Sequence, residues 1–485
     1  LYINNLYNIY IMVAEQLQIS YINTTYSGIN MIASWVKLNS THYNIEHTYN
    51  PLYPVIGISI ISFFLFSSLI YKGIHNFNTR HSRIPLIMIF MTSIFLTAMS
   101  GFIGYDKDPL TGEYIEYCHM DKCNYNHAHV KVLNSKNIRR NMFHSEMNNL
   151  LPNTTYIYRM GSNKNGWSMD YTFTTLSHER GITEPLRLAV YGDFGLTNSE
   201  SLDELKNNLA GHNYDMVLHI GDMAYNLDSN DGEVGDSFMN MIEPIASKVP
   251  YMTCPGNHEE AANFTYYTRR YNMPGVQSGS NNNMYYSFNV GDIHFTAISS
   301  ELYYFNDDYT DDHIIRQYNW LKTDLEGAQN KSWRIMFAHR PMYCSLITNS
   351  QNQICTSDTA RMRDGTTYNG DSPRVGGLEH LLMDYNVDLF FAGHMHSYER
   401  LWPTYRQQVI KKDYNNPGGP VHIITGSAGC NEDLDHFDSM DYPWSAFKSD
   451  SYGFGMLNII NSNRLEWRQL LAKDSSVLDR IIINK

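Results

Sequence analysis

From Pro185 onward, apolar runs of five or six residues recur, each ending in a polar cluster, with segments of helical spacing between them. The runs at 186–191, 216–220, 249–253, 334–338, 387–392 and 421–425 predict strands, and 202–209 and 377–384 predict helices. Strands of this kind alternating with helices imply an α/β domain, a β-sandwich flanked by helices, whose functional loops gather at the carboxyl ends of the strands. Upstream the texture differs. Residues 15–36 read as two short strands with a turn, and 156–175 as a hairpin around Asn165-Gly166, the alternation of an all-β sandwich. Between these halves lie two uncharged apolar runs, 55–71 and 84–105. The second is long enough to span a bilayer, and the first is marginal unless extended back over Pro51 to Pro54. Lys72, Arg80 and Arg83 in their link would make it cytosolic. A membrane hairpin and a non-native insert stand as alternative readings of this stretch.

Charge narrows the function. The 485 residues carry 36 Lys plus Arg against 49 Asp plus Glu, a formal charge of -13, which excludes a broad phosphate-neutralising face and hence a nucleic-acid partner of that type. Six cysteines, at 118, 123, 254, 344, 355 and 430, are too few for a disulfide scaffold and lack the spacing of a structural zinc site. Local disulfides between Cys344 and Cys355 and between Cys118 and Cys123 stand beside the alternative of free thiols. Sequons at Asn23, Asn39, Asn153, Asn263 and Asn330 favour a secretory route, hence a secreted or lysosomal protein, anchored in a membrane if 55–105 is genuine. The chain opens with Leu, so its start says nothing about a leader.

The polar clusters after the strands carry the chemistry. They read Gly192-Asp193-Phe194-Gly195, Gly221-Asp222-Met223-Ala224-Tyr225, Gly256-Asn257-His258-Glu259, His339-Arg340-Pro341 and Gly393-His394-Met395-His396. Any one alone is a common turn. Together they supply carboxylate, phenol, amide and imidazole ligands without thiolate, a set suited to iron, manganese or zinc. The glycines allow a side chain to turn sharply off a strand end. His394 and His396, two apart, would face the same way in an extended segment. The ligand number exceeds what one ion needs, so two ions with a shared carboxylate is the economical arrangement, and phosphate-ester hydrolysis the natural reaction.

The series Gly-Asp-x-Gly, Gly-Asp-x-x-Tyr, Gly-Asn-His-Glu, x-x-His, Gly-His-x-His resembles the purple acid phosphatases, within the calcineurin-like metallophosphoesterases. Cys254-Pro255, Tyr398-Glu399-Arg400-Leu401-Trp402-Pro403 and Gly426-Ser427-Ala428-Gly429 fit the animal-type branch. The likeness covers 185–485 closely, while 15–36 and about 126–176 resemble the fibronectin-III-like domain of longer members. It implies a domain order of a fibronectin-III-like sandwich in two parts (15–50 and 116–178), an apolar insert (51–115) and a metallophosphoesterase domain (185–485).

The resemblance also implies roles. Asp193, Tyr225 and His396 would hold Fe(III); Asn257, His339 and His394 would hold a divalent ion (Zn, Fe or Mn); Asp222 would bridge them. Gly195 stands where ordinary relatives carry a histidine, so a phenolate replaces an imidazole, which favours iron. His258 is the candidate to contact the phosphoryl group or protonate the leaving oxygen, against a bland role in orienting Asn257. Plant members carry two further histidines where this chain reads Ser345 to Ser350, so their proton donor does not carry over. The implied function is an acid phosphatase: attack of a metal-bound hydroxide on a phosphate monoester, with an acidic optimum. A phosphodiesterase or pyrophosphatase on the same centre and a non-catalytic secreted binding protein are the alternatives.

Overall fold

The computed structural model describes residues 15–25, 28–39, 112–305, 309–348, 353–367, 374–437 and 442–485. The apolar runs at 55–71 and 84–105 lie outside the described residues, and among those described no helix is long and apolar enough to cross a membrane.

Strands β1 (Glu15–Thr25), β2 (Gly28–Asn39), β3 (Tyr114–His119), β4 (Lys122–His127), β5 (His129–Asn134), β6 (Arg139–Leu150), β7 (Thr155–Ser162) and β8 (Tyr171–Thr174) form two antiparallel sheets. One runs β1-β2-β6-β5; the other runs β4-β3-β7, with Gly166–Trp167 and β8 sharing the far edge of β7. β2 pairs with β6 from Ile29↔Leu150 to Asn39↔Arg139, joining chain from either side of residues 40–111. Alternate residues point inward, burying Trp35, Tyr117, Met147, Tyr158 and Phe173. The Cys118–Cys123 disulfide ties the β3–β4 turn.

The second architecture is two mixed sheets. Strands β9 (Leu186–Tyr191), β10 (Met216–Ile220) and β11 (Tyr251–Cys254) are parallel, while β12 (Tyr286–Val290) pairs antiparallel with β13 (Ile293–Ala297). β13, β14 (Trp333–Phe337), β15 (Leu389–Ala392) and the strand at Val421–Thr425 continue in parallel. With β16 (Tyr398–Leu401), β17 (Val421–Thr425), β18 (Ser445–Ser449), β19 (Gly453–Asn461), β20 (Arg464–Leu471) and β21 (Val477–Asn484), the orders are β11-β10-β9-β19-β20-β21 and β12-β13-β14-β15-β17-β16-β18. Helices α1 (Leu202–Ala210), α2 (Glu233–Ala246), α3 (Ala261–Arg270), α4 (Asp311–Gly327), α5 (Cys355–Asp364) and α6 (Glu379–Asp384) lie between strands. β11 begins after Pro250, which has no N–H to give a ladder, and α6 begins after Gly377 rather than on it. The Cys344–Cys355 disulfide fixes the start of α5.

A buried polar seam joins the two sheets at one end. Asp479 of β21 accepts from Arg400 of β16 at 2.6 and 3.0 Å and from the Tyr398 hydroxyl at 2.7 Å, and that hydroxyl takes the Trp467 indole N–H at 3.0 Å. Removing one member of such a pair leaves a buried charge without its counter-ion. Asp479→Ala is therefore expected to cost about 3–5 kcal/mol of stability, read from denaturant unfolding; a midpoint unchanged from wild type would show that the seam holds nothing.

Candidate metal centre

Both sheets deliver their parallel strand ends to one place. β9 and β10 end in Gly-Asp pairs, β11 leads through Pro255 and Gly256 to Asn257, and β14 and β15 lead to His339 and His394. The loops are stitched together by backbone bonds: Gly192 N–H to Thr425 C=O at 2.9 Å, Asp193 N–H to Gly221 C=O at 3.2 Å, and Gly393 N–H to His339 C=O at 2.9 Å. Asp193, Asp222, Tyr225 and His394 all have left-handed φ, at 58, 52, 53 and 69°. Such angles cost non-glycine residues about 1–3 kcal/mol each and persist only where the surroundings impose them. A Cβ on Gly256 would overlap the Asp222 carboxylate, and one on Gly393 the Asp193 carboxylate, so these two glycines are there for close approach.

The side chains converge as two neighbouring sets. In the first, the Tyr225 hydroxyl is 2.9 Å from His396 Nε2 and 3.4 Å from Asp193 Oδ1, and His396 Nε2 is 3.5 Å from the same oxygen. In the second, His339 Nε2 is 3.1 Å from both Asp222 Oδ2 and Asn257 Oδ1, and one ligand atom each from Asp222, His339 and His394 lies within 4.8 Å of the others. The segment 393–396 is not the extended stretch expected from the spacing of its histidines. The left-handed turn at His394 parts them, sending His394 to Asp222 and His339, and His396 to Tyr225 and Asp193.

The donor chemistry fits cations. His339 Nδ1 faces the Ile220 carbonyl at 3.0 Å and so carries the hydrogen, which turns the Nε2 lone pair toward two oxygen acceptors. Three lone pairs aimed at one another need a positive charge between them. Asp193 and Asp222 are 0% and 1% exposed. Burial raises the Asp193 pKa, partly offset by its bond from His396; at Asp222 the same burial is outweighed by the charge of His339, and its pKa falls. Burial would lower both imidazoles, yet Asp222 carries His339 up to about 10, and Asp193 helps carry His396 up to about 12. The same negative field that draws protons there draws metal ions. His394 is pushed well down by burial and by the Arg340 cation, so its nitrogen stays unprotonated.

His258 stands at the edge of both sets. Its Nδ1 meets Asn226 Oδ1, its ring lies 4.3 Å from that of Tyr225, and Nε2 is 3.4 Å from Glu432 Oε1 and 3.9 Å from Asp222 Oδ2. Asn226, Glu432 and several other partners carry no motif signal. Glu259, to which its motif lends no role, accepts the N–H groups of Asp222 and Met223 at 2.9 Å and of Gly256 at 2.8 Å. Burial and the Asp222 charge push its pKa up to about 8, while three N–H donors on two oxygens favour the carboxylate. Arg340 donates to His394 Nε2 at 2.9 Å, grips buried Glu301 at 3.0 and 3.1 Å, and lies 4.2 Å over the Tyr304 ring. Asp435 takes the His396 N–H at 2.8 Å, and the Asp433 carbonyl lies 3.0 Å from its Nδ1. Adjacency to a ligand is the only sequence signal that Arg340 and Asn226 offer.

Residues 186–398 match the calcineurin-like phosphoesterase family, 419–480 the iron/zinc purple acid phosphatase-like protein C family, and 106–175 the purple acid phosphatase N-terminal domain. The chain is 42% identical to mouse (Mus musculus) acid phosphatase type 7 over 342 residues, covering 68% of this chain and 74% of that protein. It is 33% identical to purple acid phosphatase 22 of Arabidopsis thaliana over 349 residues, covering 69% and 70%. The fold is similar to that of purple acid phosphatase PPD1 from yellow lupin (Lupinus luteus) seeds, with a TM-score of 0.63 at 20% identity over 97% of this chain and 74% of that one. Strand-end loops, ligand series and relatives agree: this chain belongs to the purple acid phosphatase family.

Proposed function

We propose that the protein is a metal-dependent acid phosphatase that hydrolyses phosphate monoesters at a dimetal centre. The observation that carries this is the convergence of Asp193, Tyr225 and His396 beside Asp222, Asn257, His339 and His394, two donor sets sharing one buried pocket of negative charge. Asp193, Tyr225 and His396 would hold Fe(III), Asn257, His339 and His394 a divalent ion (Zn, Fe or Mn), and Asp222 would bridge. Ions held there would supply Lewis acidity and would lower the pKa of a water bound to them.

The chain's own groups do the rest. The Asn226 contact settles the His258 ring so that Nε2 faces the pocket, where it can hold a phosphoryl oxygen or give a proton to the leaving oxygen. Glu259 fixes the backbone on both sides of Asp222, which keeps that carboxylate aimed between the two sets. The tyrosine is the discriminating ligand: burial and the Asp193 charge hold its phenol well above its ordinary pKa, so it ionises only where a strongly charged cation takes the oxygen. That favours iron(III) in the first set.

We read the domain order as a fibronectin-III-like sandwich (15–50 and 116–178) interrupted by an insert (51–115), whose last residues Tyr114 and Ile115 already belong to sandwich strand β3, then the catalytic domain (185–485). The β2–β6 pairing across residues 40–111 and the two facing antiparallel sheets support it. A secreted or lysosomal glycoprotein is the matching location, supported by two disulfides and by the exposure of Asn153, Asn263 and Asn330 in their sequons.

Three outcomes are expected. Purified protein turns over a phosphate monoester with an acidic optimum and a diester or pyrophosphate at least about tenfold more slowly; faster diester or pyrophosphate turnover would move it to the alternative enzyme classes. Tyr225→Phe removes the tyrosinate-to-iron absorption band, whereas a colourless but fully metallated and active wild type would sink the iron assignment. The third concerns pH. Protonated His339 and His396 have folded pKa values above the unfolded histidine value of about 6.5, so their contribution is complete below that value and is lost as pH rises through about 10 and 12. Chelator-stripped protein should therefore lose melting temperature between pH 7 and 10 while metal-loaded protein does not; parallel curves would contradict the need for positive charge in the pocket.

A further inference from the structure

The N-terminal sandwich reaches into the catalytic domain through a fully buried cation. Arg140, 0% exposed and on β6, donates from Nε to both oxygens of Asp236 at 3.0 and 2.7 Å, and its Nη2 lies 2.7 Å from Oδ2. Asp236 is on α2, and its carboxylate is shared with a second buried cation, Arg270 of α3, at 2.7 Å. Arg270 also donates to the Gly232 carbonyl at 2.9 Å.

The position of this trio along the chain gives it meaning. α2 is entered by the loop that leaves Tyr225 and Asn226, and α3 follows directly on the segment that carries Asn257, His258 and Glu259. The trio thus ties the first turn of α2, just past the loop that carries Tyr225 and Asn226, to Arg270 at the far end of α3, the element that runs on from the loop carrying His258; the near ends bring Tyr225 to His258, ring to ring at 4.3 Å, and Asn226 to His258 Nδ1. The first loop turns tightly: Asn230, Asp231 and Gly232 all have left-handed φ, at 50, 59 and 87°, a region these three residue types adopt more readily than others. Two further sandwich contacts brace that run, the backbone N–H groups of Lys136 and Asn137 donating to Asp231 at 2.7 and 2.8 Å. A Cβ on Gly232 would press on the Arg140 guanidinium at 3.1 Å, so loop and arginine are packed directly together.

We propose that Arg140 is a positioning residue for catalysis, and that the sandwich completes the active site by fixing the Tyr225 and His258 loops through Asp236 and Arg270. The proposal rests on the phosphatase reading above for its kinetic consequence, but not for its structural one. Deleting Arg140 leaves Asp236 paired with Arg270, so no buried carboxylate is left without a cation. Lysine in its place keeps charge but loses the two-pronged grip.

The test compares wild type, Arg140→Ala and Arg140→Lys as the full chain. Expected are a fall in kcat of about tenfold or more in Arg140→Ala with KM within about twofold, since small misplacements of reacting groups cost that much. A shifted or weakened tyrosinate band, faster amide exchange at 225–232 and 257–260 in metal-free protein, and an intermediate Arg140→Lys should accompany it. Lower melting temperature with kcat, band and exchange at those segments unchanged would mean a merely structural role and overturn the proposal. Should Arg140→Ala give no folded protein, Arg140→Lys and Asp231→Ala decide by the same three readouts, and wild-type values in both overturn it. If wild type itself has neither phosphatase activity nor band, the function reading falls, and amide exchange at 225–232 still decides this one.

Discussion

Two carboxylates, Asp193 and Asp222, are buried side by side where two sheets bring their strand ends together, and the surrounding structure serves that arrangement. Taking an ionised carboxylate out of water costs several kcal/mol unless it is paired and hydrogen-bonded. Here each takes a backbone N–H, Asp193 from His394 at 2.9 Å and Asp222 from His258 at 2.9 Å, and each faces an imidazole. Those bonds dictate the left-handed turns at the ligand residues and the glycines beside them. They also explain Glu259, a third buried carboxylate whose task is to hold the backbone around Asp222. A pocket that invests this much negative charge in so small a volume is arranged for cations, and two donor sets provide for two of them.

Much of this was legible in the chain because the relevant signals are local. β9, β10 and β17 coincide with their apolar runs at 186–191, 216–220 and 421–425, since Gly or Pro marks their ends. The motif loops follow by the same logic, whereas the sorting of Asp193, Tyr225 and His396 from Asn257, His339 and His394 came only from the resemblance to the purple acid phosphatases. What was not legible depends on long-range contact. That β19 lies antiparallel to β9, placing the carboxyl-terminal strands in the first sheet, follows from packing rather than from any run of residues. His394 and His396 diverge because a left-handed turn, which histidine itself does not signal, breaks the extended path.

The least legible residues are ordinary ones in ordinary places. Arg340 and Asn226 sit one position past a ligand, and Glu301 lies on no motif, yet together they orient His394 and His258. Arg140 is a single cation in an alternating strand of another domain, and only the fold shows it buried against Asp236. Arg140 gives the sandwich a part in the site, where sequence organisation alone leaves it an appendage.

One buried pocket is arranged to hold two cations in chemically different surroundings. Metal titration of chelator-stripped protein, with ferric iron and then zinc, followed by metal analysis and visible absorption, tests it most directly. Two ions per chain are expected, with the tyrosinate band developing on the iron step alone and both sites lost in Asp222→Asn. A single ion per chain, or two ions that survive Asp222→Asn with the band unchanged, would contradict a shared dimetal centre.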